Sequence, residues 1–193
     1  MSRFLSALKR VVFQKKTVIF CADLSKLDNE TNLSDSYTVR RIRSQGELDK
    51  GDLETLNKYH DNEILEKNMT ERFNLEAEVW LITQNDELIG FNWTIKKTSM
   101  GTYFFPLVNS TVCIFDQEIF PEYRGRGINA MLTMYILNSL KQEGMTHAYI
   151  SIKEWNQSNL RAISKTIFEK IGVASKFRLL GRVIIIWTEM QSS

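Results

Sequence analysis

The chain has 193 residues, 43% hydrophobic and 25% charged, with a formal net charge of +2. That length holds one domain with a sizeable core and falls short of two. The near-neutral charge argues against a general nucleic-acid-binding role. Two cysteines argue against a disulfide framework, and no apolar run reaches the ~20 residues of a membrane span.

Met1 to Lys16 is basic and amphipathic, with Phe4, Leu5, Leu8, Val11 and Val12 interspersed among Arg3, Lys9, Arg10, Lys15 and Lys16. It lacks the apolar core and cleavage site of a signal peptide. It reads as a helix docked on the domain, with peripheral contact to anionic lipid as the alternative. Thr17 to Leu24 reads as a strand, and the polar stretch from Asp28 to Ser36 as a loop. Residues 1–35 thus form an N-terminal extension, helix plus strand, ahead of a domain at 36–193.

Tyr37 to Ile42 is a second strand. Glu47 to Asp61 carries Leu48, Leu53, Leu56 and Tyr59 at helical spacing. Asn62 to Leu75 predicts another helix, with Ile64, Leu65, Met69 and Phe73 inward. Ala77 to Thr83 and Leu88 to Ile95 predict a hairpin around Asn85-Asp86. A loop from Thr98 to Asn109 precedes a strand over Val112 to Phe120. A helix over 127–143 follows, with Ile128, Met131, Leu132, Tyr135 and Leu140 on one face and Gly144 as its stop. Ala148 to Ile152 is a strand, and a helix capped by Asn156 or Ser158 extends to about Ile171. Strands over Phe177 to Leu180 and Val183 to Trp187 close the chain. Early antiparallel strands followed by crossing helices give an α/β fold with a mixed, mostly antiparallel central sheet and flanking helices.

Cys21 and Cys113 both lie in apolar strand-like runs, as buried free thiols of a reducing, cytoplasmic compartment do. No Cys/His cluster has metal-ligand spacing, so no metal is expected. His60 and His147 stand isolated in the sequence.

Chemistry concentrates in Phe120-Pro-Glu-Tyr-Arg-Gly-Arg-Gly-Ile-Asn-Ala130. Its glycines fall where a strand ends and a helix begins. Gly125 and Gly127 remove Cβ atoms that would keep a ligand from the backbone. The first turn of the helix offers unpaired N–H groups and the positive end of its dipole. Such a site binds phosphate or pyrophosphate, and Arg124 and Arg126 add charge-assisted donors. The Walker pattern is absent. Gly125-x-Gly127-x-x-Ala130 does match the dinucleotide fingerprint. However, the next candidate acid, Glu154, lies beyond the usual ~20 residues, and too few crossovers follow for a doubly wound sheet. A plain tight turn between strand and helix is the remaining structural alternative.

Arg124-Gly125-Arg126-Gly127-Ile128-Asn129 resembles the acyl-CoA loop of the GNAT acyltransferases, Arg/Gln-x-x-Gly-x-Gly/Ala. Pro121-Glu122-Tyr123 looks like the tripeptide that often introduces it, and Glu169-Lys170-Ile171-Gly172 resembles the end of the family's next helix. The resemblance is sharp from about Val112 to Val173. It departs at Asn129, which takes a Gly/Ala position, at Phe168, where many members carry Tyr, and at Val173, where Phe is usual.

The resemblance implies a GNAT-like fold and transfer of an acyl group, acetyl first, from acyl-CoA to a primary amine. The acceptor would be a small molecule, with an amino sugar as one class. It also implies that the pantetheine arm pairs with the strand before the loop, at Gln117 to Phe120 and so at Ile119 and Phe120. The pyrophosphate would rest on the helix at Ile128, and a bulge would free backbone N–H groups for the oxyanion. Asn156 or Asn159 is open to bonding the pantetheine amide or to simple capping.

A protonated amine cannot attack, so a base or a water chain must take its proton. Asp116 and Glu118 are the nearest carboxylates, two apart and so on one strand face. The opposite face would carry Phe115, Gln117 and Ile119. Glu118, closer to the loop, is the preferred base, and a solvent-facing polar stripe is the plain alternative. Phe168 cannot protonate the leaving thiolate, which leaves Ser164 or solvent. Trp80, Trp93, Tyr103, Phe104 and Phe105 are candidates for an acceptor pocket. A non-catalytic acyl-CoA-binding module and a dinucleotide-dependent oxidoreductase remain the alternatives.

Overall fold

The structure is a computed structural model that describes residues 16–27, 33, 36–100, 103–179 and 182–190. The expected basic helix before Lys16 lies outside the described residues, as does most of the 28–36 loop. In chain order the elements are β1 (Lys16–Asp23), β2 (Tyr37–Ile42), α1 (Lys50–Tyr59), α2 (Asn62–Asn74), β3 (Glu78–Gln84) and β4 (Glu87–Lys96). They continue with β5 (Thr111–Ile119), α3 (Ile128–Gln142), β6 (His147–Lys153), α4 (Gln157–Ile163), β7 (Glu169–Leu179) and β8 (Arg182–Glu189).

The eight strands form one sheet in the order β2-β3-β4-β5-β6-β1-β7-β8. Every neighbouring pair is antiparallel except β5 and β6, which α3 connects. The sheet is therefore mixed and mostly antiparallel, as the sequence predicts. The strand of the N-terminal extension is a central member of it. Val18 and Phe20 of β1 face Ile152 and Ile150 of β6 on one side and Val173 and Lys170 of β7 on the other.

Apolar side chains on both sheet faces divide the core. One cluster joins Val18, Ile82, Ile114 and Ile150 to Leu132, Ile136 and Leu140 of α3 and Ile163 of α4. The other joins Val79, Leu81, Phe91 and Trp93 to Leu56 of α1 and Met69 of α2. At about 25 cal/mol per Å² of apolar surface removed from water, these two layers dominate the stability of the fold.

Local chemistry fixes the ends of the elements. Asp49 caps α1, and Asp49 and Asp52 form a reciprocal capping box. Asp52 is buried and paired with Arg40. Asn85 and Asp86, at φ of 50° and 64°, turn the β3–β4 hairpin. Both angles are positive, as a two-residue type I′ turn requires.

Three expectations need correction. Ile64 does not face inward; it is 62% exposed, because α2 buries mainly the stripe through Leu65, Met69 and Phe73. The helix expected to reach Ile171 stops at Ile163, so Glu169-Lys170-Ile171-Gly172 belongs to β7. The Thr166 hydroxyl donates to the Ile163 carbonyl and accepts from the Phe168 N–H. Beyond it, β1 supplies the hydrogen-bonding edge that Lys170 and Gly172 join. A strand partner from the far end of the sequence, Phe20 against Lys170, outweighs local helix propensity. Finally, Phe115 does not lie opposite Asp116 and Glu118. It packs in the α1/α2 cluster beneath Arg72, because the strand is bulged there.

Candidate functional site

The bulge follows from the β4–β5 register. Phe91 faces Glu118 and Trp93 faces Phe115, so Asn92 of β4 stands against both Asp116 and Gln117. Asp116 has φ of 46°, the left-handed region that breaks strand alternation. Both carboxylates then reach toward α1 and α2. Asp116 pairs with Arg72 of α2 at 2.6 Å. Glu118 stands 3.3 Å from His60, the residue that caps α1, and 3.2 Å from Arg124.

The parallel ladder between β5 and β6 ends at the same level. It runs from Thr111 and His147 to Ile114 and Ile150. Beyond Ile114, β6 continues to Lys153 against β1, while β5 continues to Ile119 against β4. The two strands part, and the backbone of Phe115 to Ile119 on the β6 side has no ladder partner among the described residues. On the α3 side of the bulge the amide nitrogen of Gln117 donates to Thr133. Asn92 is fully buried, and neither amide atom has a hydrogen-bond partner. The oxygens of Gln117 and Asn129 are likewise buried without a donor. Buried polar atoms left this way call for water or a ligand group.

A cleft of about 280 Å³ opens beside this splay. It is lined by Ile119, Tyr123, Arg124, Gly125, Gly127, Ile128, Asn129 and Ala130 and, from α4 and the turn after it, by Ser158, Asn159, Arg161, Ala162 and Lys165. Gly127 is the N-cap of α3, at φ of 78°. It has no side chain with which to cap the helix, so the first-turn N–H groups receive no side-chain acceptor from the N-cap. A Cβ built on Gly125 or Gly127 meets nothing within 4 Å. The space over the loop is open, and the left-handed backbone is what calls for glycine. Arg161 of α4 and Lys165 just past its end face the loop. Neither joins an ion pair among the described residues. A helix start with open donors opposite two cations fits a phosphorylated ligand.

The remaining candidates are placed as follows. The Arg124 Nε donates to the Ile119 carbonyl at 2.8 Å, so this arginine braces the end of β5 as well as lining the cleft. Arg126 turns away, donating to the Glu122 carbonyl and lying over Tyr123. Phe120 is fully buried and stacked on Tyr59 at 4.0 Å, and its N–H is taken by the Ile89 carbonyl. Asn156 caps α4, accepting from the Asn159 N–H at 3.2 Å, whereas Asn159 itself lines the cleft. Phe168 lies in the α3-side core, and the Ser164 hydroxyl donates to the Arg161 carbonyl.

The aromatic acceptor set is divided. Trp80 packs on the α3 side, edge-on to Tyr135, and its indole N–H is satisfied by Thr94. Trp93 is core on the other face. Tyr103 and Phe105 form a cluster with Tyr149 and Trp187, and Phe104 packs edge-on to Tyr103.

Arg161, Ala162 and Lys165 carry no motif in the sequence, and Ser158 reads there only as a cap. The signal for them is the i, i+3, i+4, i+7 spacing of Ser158, Arg161, Ala162 and Lys165, which gathers two cations along one side of α4 and the turn after it. Among the described residues no group of three His, Cys, Asp or Glu side chains could hold a metal ion, and no helix is long and apolar enough to cross a membrane.

Residues 47–165 match the Acetyltransferase (GNAT) family, and no curated protein matches the chain. Solved structures share the fold. The chain resembles the GCN5-related glucosamine N-acetyltransferase region of a fungal multi-domain GH3 β-N-acetylglucosaminidase, with a TM-score of 0.61 and 16% identity, over 89% of this chain and 22% of that one. It is similar to a GNAT-family acetyltransferase from Colwellia psychrerythraea, with a TM-score of 0.58 and 12% identity, over 92% and 56% of the two chains. It is also similar to a GCN5-related N-acetyltransferase from Sphaerobacter thermophilus, with a TM-score of 0.56 and 13% identity, over 96% and 56%. The chain spans less than two thirds of the length of each of these. With the family matched from before α1 to the end of the cleft-lining segment, the chain belongs to the GNAT acetyltransferases, a family that uses acetyl-CoA.

Proposed function

We propose that this protein is an acyl-CoA-dependent N-acyltransferase that acts on a primary amine of a small molecule in the cytoplasm. The observation that carries the reading is the cleft between the start of α3 and the cations on and after α4, adjoining the gap where β5 leaves β6. Ile128, Asn129 and Ala130 would hold the pyrophosphate through their backbone, with Arg161 and Lys165 supplying charge from the far wall. The β6-facing edge of β5 up to Ile119 would take the pantetheine arm, and Asn159 would meet it from α4.

Acetyl-CoA supplies an activated thioester. The amine nitrogen bonds to the acyl carbon, the carbon–sulfur bond breaks, and the sulfur takes a proton. The products are an amide and CoA. An ammonium must first lose a proton, and Glu118 is the residue we assign to accept it. Asp116 is the weaker candidate, because the Arg72 guanidinium stands closer to it, at 2.6 Å, than the Arg124 guanidinium stands to Glu118, at 3.2 Å. Backbone N–H groups beside the bulge at Asp116 and Gln117 would steady charge on the acyl oxygen.

The test is thiol release from acetyl-CoA across a panel of amines that includes amino sugars, polyamines and amino acids. Steady turnover with one class supports the reading. Stabilisation by acetyl-CoA without turnover on any amine favours a binding module instead.

A further inference from the structure

His60 carries no signal in the sequence, yet the fold delivers it to Glu118. It ends α1, where its backbone N–H donates to the Leu56 carbonyl at 3.1 Å, so the ring's origin is fixed. The ring leans on Phe91 at 5.8 Å. Its Nε2 is buried and has no hydrogen-bond partner, although Glu118 Oε2 lies 3.3 Å away. The distance suits a hydrogen bond and the direction does not yet. A buried ring nitrogen costs free energy while it stays unpaired, so a small turn of either side chain is favoured.

We propose that His60 is the positioning residue of Glu118, donating from Nε2 to Oε2. The inference rests on the assignment of Glu118 as the base. Arg124 donates to the other carboxylate oxygen at 3.2 Å, so the carboxylate is gripped from two sides. One grip comes from the end of α1, the other from the loop that lines the cofactor cleft. His60 thereby fixes the rotamer and directs the remaining lone pairs of Glu118 outward, to where an amine would stand. It requires the ring to carry hydrogen on Nε2, which the hydrogen bond itself selects.

The test has two arms. The first needs no acceptor. The chain has two histidines, so ¹⁵N-imidazole spectra of the full chain are readily assigned with His147→Gln. A protonated Nε2 on His60, with its hydrogen protected from exchange in the wild type and exposed in Glu118→Ala, is the expected result. A bare Nε2 in the wild type overturns the proposal.

The second arm uses acetyl-CoA and the amine that turns over. His60→Leu should lower kcat on the order of tenfold, a part of the roughly 10²–10⁴-fold that a placed base supplies. The KM for acetyl-CoA should not change. His60→Gln, whose amide also donates, should recover most of the loss. The pair His60→Leu/Glu118→Gln should be no slower than Glu118→Gln alone, because the histidine acts through the carboxylate. Additive losses would overturn the proposal, as would a full-rate His60→Leu beside an impaired Glu118→Gln. A full-rate Glu118→Gln removes the base assignment and the inference together.

Discussion

Gly90 and Ile119 face each other across β4 and β5 with no room for a side chain between them. A Cβ on Gly90 would lie 2.5 Å from the Glu118 carbonyl oxygen and 2.7 Å from Ile119 Cδ1. That contact holds the end of β5 against β4 at the level where it has left β6. Gly90→Ala must push β5 toward the cleft. Overpacking of this kind costs about 1–3 kcal/mol. We expect a lower melting temperature and a smaller stabilisation by acetyl-CoA, both read by thermal unfolding with and without the ligand. An alanine variant with wild-type values for both would show that β5 is not set by this contact.

Gly127 separates fold from binding. Its φ of 78° is costly for side chains, about 1–2 kcal/mol for most L-residues and more for β-branched ones. Gly127→Val should therefore lose stability as well as acetyl-CoA binding. Gly127→Asn tolerates the left-handed backbone and should keep its melting temperature within a few degrees, while the added side chain intrudes on the open space over the loop. Isothermal titration of the Gly127→Asn variant with acetyl-CoA should show weaker binding; unchanged affinity would take the phosphate away from this turn.

The cations on and after α4 make a third prediction. A hydrogen bond to a charged group is worth about 1.5–3 kcal/mol, less where it is exposed. Arg161→Ala and Lys165→Ala should each raise the Kd for acetyl-CoA on the order of tenfold, leaving kcat at saturation unchanged. The wild-type affinity should weaken with added salt more steeply than that of the double variant. Equal salt slopes would mean that neither side chain meets the ligand.

The fold protects the two thiols unequally: Cys113 is buried as expected, whereas Cys21 is only half-buried. Cys21 and Cys113 both face Tyr149, from β1 and β5 on either side of β6. Two strand spacings of about 4.7–4.9 Å keep them beyond disulfide reach. Burial pushes the Cys113 thiol up to about 12, and burial also raises that of Cys21. Thiolate is the reactive form, so iodoacetamide at mildly alkaline pH should leave Cys113 unmodified in the native protein, label half-buried Cys21 slowly, and label both readily in denaturant. Rapid native labelling of Cys113 would contradict its placement.

Acid stability tests the ion-pair network at the far end of α3. Hydrogen bonding from Arg41, aided by Lys96, holds the Glu143 carboxyl below its ordinary range. A lowered value in the folded state stabilises above the unfolded value and loses that contribution as pH falls through the folded one. Glu143→Gln should therefore unfold at lower temperature than the wild type near neutral pH. The gap should close as pH drops below the ordinary carboxylate range. A gap that persists in acid would mean that packing, not charge, supports the residue.

The glycine loop is legible in the sequence because its chemistry is local. Arg124 to Asn129 must combine a left-handed turn, a bare helix start and close backbone approach, and few residue types allow all three. Periodicity reveals β2, α1, the β3–β4 hairpin and α3 for the same reason, since each buries one stripe or alternate side chains. The 3.6-residue pattern of α2 places Met69 correctly and Ile64 wrongly, because the pattern shows which residues share a stripe but not how wide a stripe the sheet covers.

What the tertiary structure decided depends on contacts between distant segments. Thr166 to Gly172 became the approach to a strand because β1 offers it an edge. Phe115 changed face because Asp116 takes a left-handed angle in a bulge that exists only against Asn92. Arg161 and Lys165 gained meaning from the α3 terminus opposite them. His60, isolated in sequence, met Glu118 because the end of α1 closes over β5. The residue types, and the backbone of locally specified pieces such as the glycine loop and the Asn85-Asp86 turn, were determined by the sequence itself. The pairing of charges across the site was not, because Coulomb and hydrogen-bond energies depend on distances that only the assembled sheet and helices set.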